Sequence, residues 1–262
     1  MGKRKAVFFD VDNTLWDFHN FIPDSAVRAI RALRENGHLA LICTGRARGF
    51  VRDPALLGLG FDGIISGCGT LIEYGGETLF YYRMDRELAL RTVETVRRFR
   101  FKPILEGRDY LYYTAADFAR DAYGDKLQRD IGDRLLDIDE HWGSWEVSKL
   151  ACDTAGCDQA AGLAALAADF SAIVHNEKVV ELVPRGFDKG EGIRRFCALT
   201  GHPLEDTVAF GDSVNDLEMF SVCADSVCMG NGAEAAKAAA DYVTTDLVRD
   251  GVWNGCRHLG LI

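Results

Sequence analysis

Short apolar runs alternate with amphipathic stretches along the first third of the chain. Apolar runs at 6–9, 39–43 and 63–66 predict three short strands. Between the first two, residues 23–36 repeat apolar positions at the spacing of a helix face, and Gly37 follows where many helices end. This alternation predicts a parallel sheet with right-handed crossovers.

The pattern changes in the middle of the chain. Residues 71–82 predict a hairpin with a Gly-Gly turn, and 107–109 predict the turn of another hairpin. The other elements predicted there are helices at 85–100 and 159–169, a strand at 147–152 and two short strands within 172–183. Hairpins and helices without strict alternation are typical of an α+β module.

The alternation of strands and helices returns after Pro184. The pattern predicts a helix over 191–200 and strands at 207–210 and 226–229. We therefore predict an α/β fold, a Rossmann-like, doubly wound parallel sheet core with an inserted α+β cap domain. The expected boundaries are 1–82 and 184–262 for the discontinuous core and 83–183 for the cap.

Composition narrows the classes of function. With 262 residues and a net charge of −10, the chain argues against generic binding to nucleic acid or to anionic membranes. No apolar run reaches the length of a membrane span, and the basic N-terminus leads into a strand without the apolar stretch of a secretory signal. The eight cysteines form no CxxC pair, so we expect a reduced, cytoplasmic protein.

Two carboxylates stand one residue apart where the first strand ends. Alternation along an extended chain points Asp10 and Asp12 the same way, at the sheet edge where α/β proteins bind ligands. Their charges repel unless a cation or a shared proton compensates. The pair indicates a hard divalent metal beside a carboxylate free to attack an electrophile; a solvated acidic turn is the alternative.

A second acidic strand end follows at 211–216. Asp212 and Asp216 supply the oxygen ligands that Mg²⁺ prefers, although a capped helix start is the alternative interpretation. Thr44, at the end of the second strand, could hold a phosphoryl oxygen, although a Thr-Gly pair after a strand is more often a plain turn. Lys189 opens a helix, where a cation is unfavourable unless an anion lies beside it; taken alone, a solvated lysine is the default interpretation.

Taken in order, these segments resemble the four motifs of the haloacid dehalogenase superfamily. The matching segments are Asp10-Val11-Asp12-Asn13-Thr14, Thr44, Lys189 and Gly211-Asp212-Ser213-Val214-Asn215-Asp216. An insert between the second and third motifs is similar to that of the Cof-like subfamily II phosphatases with a large α/β cap. Two positions depart from the family pattern: Asn13 where glycine is commoner, and Ser66 where the family more often has asparagine.

The resemblance implies roles for the site residues. Asp10 would attack phosphorus to form an aspartyl-phosphate, and Asp12 would protonate the leaving oxygen and then activate water. Mg²⁺ would be held by Asp10, the carbonyl of Asp12 and Asp212, with Asp216 as a direct or supporting ligand. Thr44 and Lys189 would stabilise the transferring phosphoryl group. The further phosphate or substrate contacts implied are Asn13, Thr14, Gly45, Arg46 and Asn215.

We therefore expect a phosphoric monoester hydrolase for a small phosphorylated metabolite resembling a sugar phosphate. A phosphotransferase or phosphomutase using the same aspartyl-phosphate is the first alternative, and a protein or peptide phosphatase is another. A regulatory protein on an inactive core would be expected to lack Asp10 or Asp12. Candidate specificity residues in the cap are Arg108, Tyr110, Tyr112, Tyr113, Trp142, Trp145, His175 and Lys178. A place in the cap core or on its solvated surface is the alternative for each.

Overall fold

The structure is a computed structural model that describes residues 3–119 and 121–262. Its strands are β1 (Ala6–Phe9), β2 (Leu39–Cys43), β3 (Gly63–Ser66), β4 (Leu71–Tyr74), β5 (Glu77–Tyr81), β6 (Lys102–Glu106), β7 (Leu111–Tyr113), β8 (Leu135–Asp137), β9 (Lys149–Asp153), β10 (Phe170–Val174), β11 (Val179–Pro184), β12 (Thr207–Gly211), β13 (Asp225–Cys228) and β14 (Tyr242–Val243). Its α-helices are α1 (Asp24–Glu35), α2 (Pro54–Leu57), α3 (Arg86–Arg98), α4 (Ala122–Ile131), α5 (Gln159–Leu166), α6 (Lys189–Thr200), α7 (Leu217–Val222), α8 (Glu234–Ala239) and α9 (Gly251–His258).

The chain forms two compact units. The first unit comprises the chain up to Gly45, Arg52–Tyr81 and Asp188–Ile262, and the second comprises Arg46–Val51 and Tyr82–Phe187. The sequence pattern did not single out Arg46–Val51 as part of the second unit. The predicted division into core and cap domains stays a prediction.

A mainly parallel sheet forms the centre of the first unit. Its strand order is β14-β13-β12-β1-β2-β3-β4-β5. The strands from β14 to β3 run parallel, and the hairpin of β4 and β5 adds to the edge in antiparallel fashion. The predicted α/β class is confirmed, with the hairpin at 71–82 extending the core sheet.

Side chains that alternate along β1 pack on both faces of this sheet. Phe8 contacts Phe196 of α6, with ring centroids 5.5 Å apart. On the opposite face Phe9 stacks on Phe210 at 4.9 Å, and α9 approaches so closely that a Cβ at Gly255 would lie 2.5 Å from the Phe210 ring. Because helices cover both faces of the sheet, the polar groups lie at the ends of the strands.

The second unit has a mixed sheet in the order β10-β11-β9-β6-β7-β8. One face packs against α3 and α5 through a core that includes Val96, Leu150 and Leu166. The other face packs against α4 through a smaller cluster that includes Ile104 and Leu127. The predicted α+β character is confirmed, whereas α4, β8 and α9 were not predicted from the sequence.

Within the described residues, every helix is too short or too polar to cross a membrane.

Candidate active site

Three neighbouring strands, β1, β2 and β12, bring the predicted site residues Asp10, Thr44 and Asp212 to the same end of the sheet. Phe9 of β1 pairs with Phe210 of β12 and with Ile42 of β2, so the three strands end almost level. Asp10 follows β1 and donates its backbone N–H to the Phe210 carbonyl at 2.9 Å. Asp212 is likewise the first residue after its strand, β12. The shared register therefore places the two acidic strand ends side by side.

Asp10, Asp212 and Asp216 form one buried acidic group. Each contributes a carboxylate oxygen, and the three oxygens lie within 4.8 Å of one another. Burial raises the pKa of Asp10 well above its usual range against the attraction of Lys189, with Asp216 adding repulsion. Burial, followed by repulsion from Asp216, raises the pKa of Asp212 to about 7. A divalent cation among these oxygens would offset the repulsion and favour the ionised carboxylates.

The side chain of Lys189 places a positive charge within this buried acidic group. It is 1% exposed, and its Nζ lies 2.6 Å from Oδ1 of Asp10 and 2.5 Å from Oδ1 of Asp216. Burial alone would lower the pKa of Lys189, but the two carboxylates raise it well above its usual range. These anions explain why a lysine is tolerated at the first position of α6.

Asp216 organises the loop after β12. Its Oδ2 accepts hydrogen bonds from the backbone N–H groups of Asp212 at 2.8 Å and Ser213 at 2.9 Å, while its Oδ1 accepts from Lys189. Ser213 and Asp216 form a capping box. The two interpretations of this segment therefore coexist, since the helix cap is built from the acidic group. Whether Asp216 also contacts a metal directly stays a prediction.

Asn215 and Gly211 complete this loop. The side-chain oxygen of Asn215 accepts from Lys189 at 3.3 Å and from the Ser213 hydroxyl at 2.6 Å. A Cβ at Gly211 would lie 2.5 Å from the Asp216 carboxyl carbon, so only glycine fits there. Asn215 therefore contacts Lys189, and its contact with phosphate stays a prediction.

The turn after Asp10 explains the first departure from the family pattern. Asn13 adopts a left-handed φ of 58°, which asparagine tolerates better than most residues. Thr14 is buried, and its hydroxyl donates to Oδ1 of Asp212 at 3.4 Å. Thr14 thus joins the two acidic strand ends. Phosphate contacts by Asn13 and Thr14 stay predictions.

Thr44 and Arg46 lie in different units. Thr44 is buried at the end of β2, where its backbone N–H donates to the Ile65 carbonyl at 2.9 Å. Gly45 is the last residue of this segment of the first unit, whereas Arg46 belongs to the second. Substrate contacts by Gly45 and Arg46 stay predictions.

The cap candidates separate into buried and exposed side chains. Tyr112 and Trp145 belong to the main core of the second unit and Tyr113 to its smaller cluster. For these three residues the alternative interpretation, a place in the hydrophobic core, therefore applies. Tyr110 and Trp142 are exposed. His175 lies 2.7 Å from Glu181 through Nε2 and Oε1. The roles of these residues in specificity stay predictions.

Sequence reasoning missed two features. Trp16 donates its indole N–H to Oδ1 of Asp12 at 3.0 Å, and its position between Leu15 and Asp17 gave no signal of that contact. The second is a buried charged cluster in the second unit, in which Lys149 pairs with Glu106 and Glu181. A lysine within the apolar run at 147–152 was the signal that could have indicated this cluster.

The motif order and this geometry agree with one family of known proteins. A model of the haloacid dehalogenase-like hydrolases matches residues 7–255. The chain belongs to this family. Among curated relatives, YkrA of Bacillus subtilis, named as a candidate phosphatase, is 27% identical over 264 residues and covers 98% of both chains. A phosphoglycolate phosphatase of Methanosarcina acetivorans is 26% identical, covering 95% of this chain and 93% of its own.

Solved structures with a similar fold match nearly the full length of the chain. A hypothetical protein of Geobacillus kaustophilus superposes with a TM-score of 0.84 at 26% identity, covering 99% of this chain and all of its own. The subclass IIB sugar phosphatase BT4131 superposes with a TM-score of 0.82 at 25% identity, covering 98% and 100%. The predicted Cof-like haloacid dehalogenase phosphatase is confirmed, and the protein is a phosphoric monoester hydrolase of this family.

Proposed function

We propose that the protein hydrolyses a small phosphorylated metabolite of the sugar phosphate type, using Mg²⁺ and an aspartyl-phosphate formed on Asp10. One observation carries this proposal. Asp10 lies at a strand end with its Oδ1 held by Lys189, inside a buried group that contains Asp212 and Asp216. A buried carboxylate beside a lysine and two further acids is suited to attack a phosphoryl group whose negative charge needs compensation.

The residues present fit a magnesium ion. Mg²⁺ prefers carboxylate and carbonyl oxygens and few protein ligands, and the carboxylates of Asp10 and Asp212 lie close enough to share one ion. The family resemblance adds the carbonyl of Asp12 as a third ligand. Asp216 would support this set through the hydrogen bonds that it accepts from Asp212 and Lys189. When bound, Mg²⁺ would neutralise charge on the carboxylates and on the phosphoryl oxygens.

The chain's own groups divide the remaining work. Asp10 attacks phosphorus, and Asp12 gives a proton to the leaving oxygen and then takes one from the attacking water. Lys189 and the Thr44 hydroxyl stabilise the phosphoryl oxygens, with Asn215 holding Lys189 in place. Asp216 and Asp10 both contact the Lys189 ammonium, so the lysine stays charged throughout.

The substrate class is supported by the relatives. BT4131 is a sugar phosphatase, and the Methanosarcina relative is a phosphoglycolate phosphatase. Both names describe small phosphorylated metabolites. A net charge of −10 does not oppose such a substrate, because the charges at the site decide local binding.

The test is phosphate release from a panel of sugar phosphates, phosphoglycolate and p-nitrophenyl phosphate, with Mg²⁺ and with EDTA. We expect turnover that requires Mg²⁺, is lost in Asp10→Asn and is kept in Asp24→Asn, a surface control on α1. Rapid-quench labelling should trap a hydroxylamine-sensitive phosphoenzyme. Metal-independent turnover that survives Asp10→Asn would refute the mechanism. A phosphoenzyme that decays only when an acceptor hydroxyl is added would make the protein a phosphotransferase.

A further inference from the structure

The chain reverses tightly just after the nucleophile. The backbone N–H of Trp16 donates to the Val11 carbonyl at 3.2 Å, and the Trp16 carbonyl accepts from the Asn13 N–H at 2.8 Å. Asp12 and Trp16 form an isolated parallel bridge across this turn. Two backbone hydrogen bonds therefore fix the tryptophan beside the second acid of the motif.

The indole of Trp16 is turned toward the Asp12 carboxylate. It is 2% exposed, and its Nε1–H donates to Oδ1 of Asp12 at 3.0 Å, whereas Asp12 itself is half-buried. A buried indole N–H normally finds a partner, and a backbone carbonyl is sufficient. Trp145 shows this, since its Nε1–H donates to the Ile138 carbonyl at 2.9 Å. At Trp16 the partner is an acid with a role in the reaction.

We propose that Trp16 is a positioning residue for Asp12, an inference that rests on the proposed acid–base role of that carboxylate. The indole N–H is a donor only, and in a protonated carboxyl the carbonyl oxygen is the better acceptor. The hydrogen bond to Oδ1 of Asp12 therefore favours the transferable proton on Oδ2. The indole thereby fixes the direction from which the Asp12 carboxyl offers its proton.

The step that depends on the hydrogen bond from Trp16 is the transfer of the phosphoryl group from the substrate to Asp10. Asp10 forms a bond to phosphorus as the bond between phosphorus and the leaving oxygen breaks. The electron pair of the broken bond takes the proton from Oδ2 of Asp12, giving a neutral alcohol and an Asp12 carboxylate. Loss of the hydrogen bond from Trp16 should harm poor leaving groups, which need the proton, more than good ones, which do not.

The test compares kcat/KM along a series of aryl phosphates, namely phenyl, p-nitrophenyl and 2,4-dinitrophenyl phosphate. Because a positioned general acid contributes on the order of 10²–10⁴-fold, we expect Trp16→Phe to lower kcat/KM for phenyl phosphate by about tenfold or more. The loss for 2,4-dinitrophenyl phosphate should stay below about threefold, since that leaving group departs without a proton. Trp253→Phe, on α9 of the same unit, is the matched control and should leave both values unchanged.

Two further measurements separate positioning from packing. Replacing Trp16 by 3-benzothienylalanine removes the N–H but keeps the ring's size, so it should reproduce the Trp16→Phe pattern in a folded protein. In the Asp12→Asn background, Trp16→Phe should cause no additional loss of kcat/KM for phenyl phosphate. An equal loss for all three esters, or an unchanged benzothienyl variant, would overturn the inference. Full turnover in Asp10→Asn would instead refute the proposed function.

Discussion

The Nζ of Lys189 lies 2.6 Å from Oδ1 of Asp10, and both side chains are buried. The two residues are 179 positions apart in the chain, so the fold alone brings them together. The lysine holds one oxygen of the nucleophile and also contacts Asp216, which fixes the loop that carries Asp212. The nucleophile and the acidic strand end are therefore coupled through one ammonium group.

Removing that ammonium group should disable the reaction more than it harms the fold. Because a preorganised charge beside the reacting phosphoryl group contributes on the order of 10²–10³-fold, Lys189→Met should lower kcat by at least that amount. The matched control is Lys237→Met, since Lys237 on α8 pairs with Glu234 at the surface. Steady-state kinetics on p-nitrophenyl phosphate, with circular dichroism to verify folding, would measure both. Equal activity in the two variants would contradict the role of Lys189.

Asp212 should control the affinity for metal. Replacing its carboxylate by an amide in Asp212→Asn removes one anionic ligand and keeps the shape, so the Mg²⁺ concentration for half-maximal activity should rise by about tenfold or more. Asp225→Asn is the control, because Asp225 pairs with Lys5 and begins β13 rather than following a strand. Magnesium titration of activity and of thermal unfolding gives two independent readouts. Ligand linkage predicts about 2.7 kcal/mol of stabilisation at a hundred times the dissociation constant in the wild type.

The stability of the metal-free protein should depend on pH in a defined direction. Burial and Asp216 raise the pKa of Asp212 to about 7, from an unfolded value near 3.8. Its contribution to stability is therefore fully present below about pH 3.8 and is lost as the pH rises through about 7. Asp10 acts in the same direction because its pKa is also raised.

Urea unfolding between pH 4 and pH 8 in EDTA would measure this loss. Excess Mg²⁺ should remove most of it by binding the ionised carboxylates. Asp212→Asn should flatten the metal-free profile, because the amide does not titrate. A metal-free wild type whose stability rises steadily over this range would contradict the raised pKa values.

The sequence predicted that the acidic strand ends and Lys189 come together, whereas their catalytic roles stay predictions and several elements of the fold were missed. Asp10, Asp212, Thr44 and Lys189 were predictable because strand ends and a helix start are local signals, and parallel pairing then converges them. The contact of Trp16 with Asp12 and those of Lys149 with Glu106 and Glu181 depend on which side chains the fold brings together. Hydrophobic periodicity carries no information about such pairing.

The missed elements have a similar cause. The helix α4 was missed because its polar sequence, AYGDKLQRDI, buries only one narrow stripe against the sheet of the second unit. The strand β8 has three residues, too few for a periodic signal, and it pairs in parallel with β7. Tertiary contacts rather than local propensity stabilise both elements.

The charged cluster of the second unit should stabilise that unit through Lys149. This lysine is 1% exposed on β9, directly paired in register with Glu106 of β6 and hydrogen-bonded to Glu181 of β11. Burial raises the pKa of Glu106, whereas for Glu181 the effect of burial is outweighed by Lys149 and His175, which lower its pKa to about 2. The ion pair with Glu181 is therefore the stronger of the two.

Removing the lysine leaves buried carboxylates without a cation, which typically costs about 3–5 kcal/mol. Lys149→Ala should lower the free energy of unfolding at pH 7 by about that amount, whereas Lys126→Ala should cost at most about 1 kcal/mol because its pair with Asp130 is exposed. Because the folded pKa of Glu181 is about 2, below its ordinary value of 4.5, its contribution is present above pH 4.5 and is lost as the pH falls through about 2. Urea unfolding should thus show the difference between wild type and Lys149→Ala shrinking as the pH is lowered from 5 toward 3. A difference that grows on acidification would contradict the pairing of Lys149 with ionised Glu181.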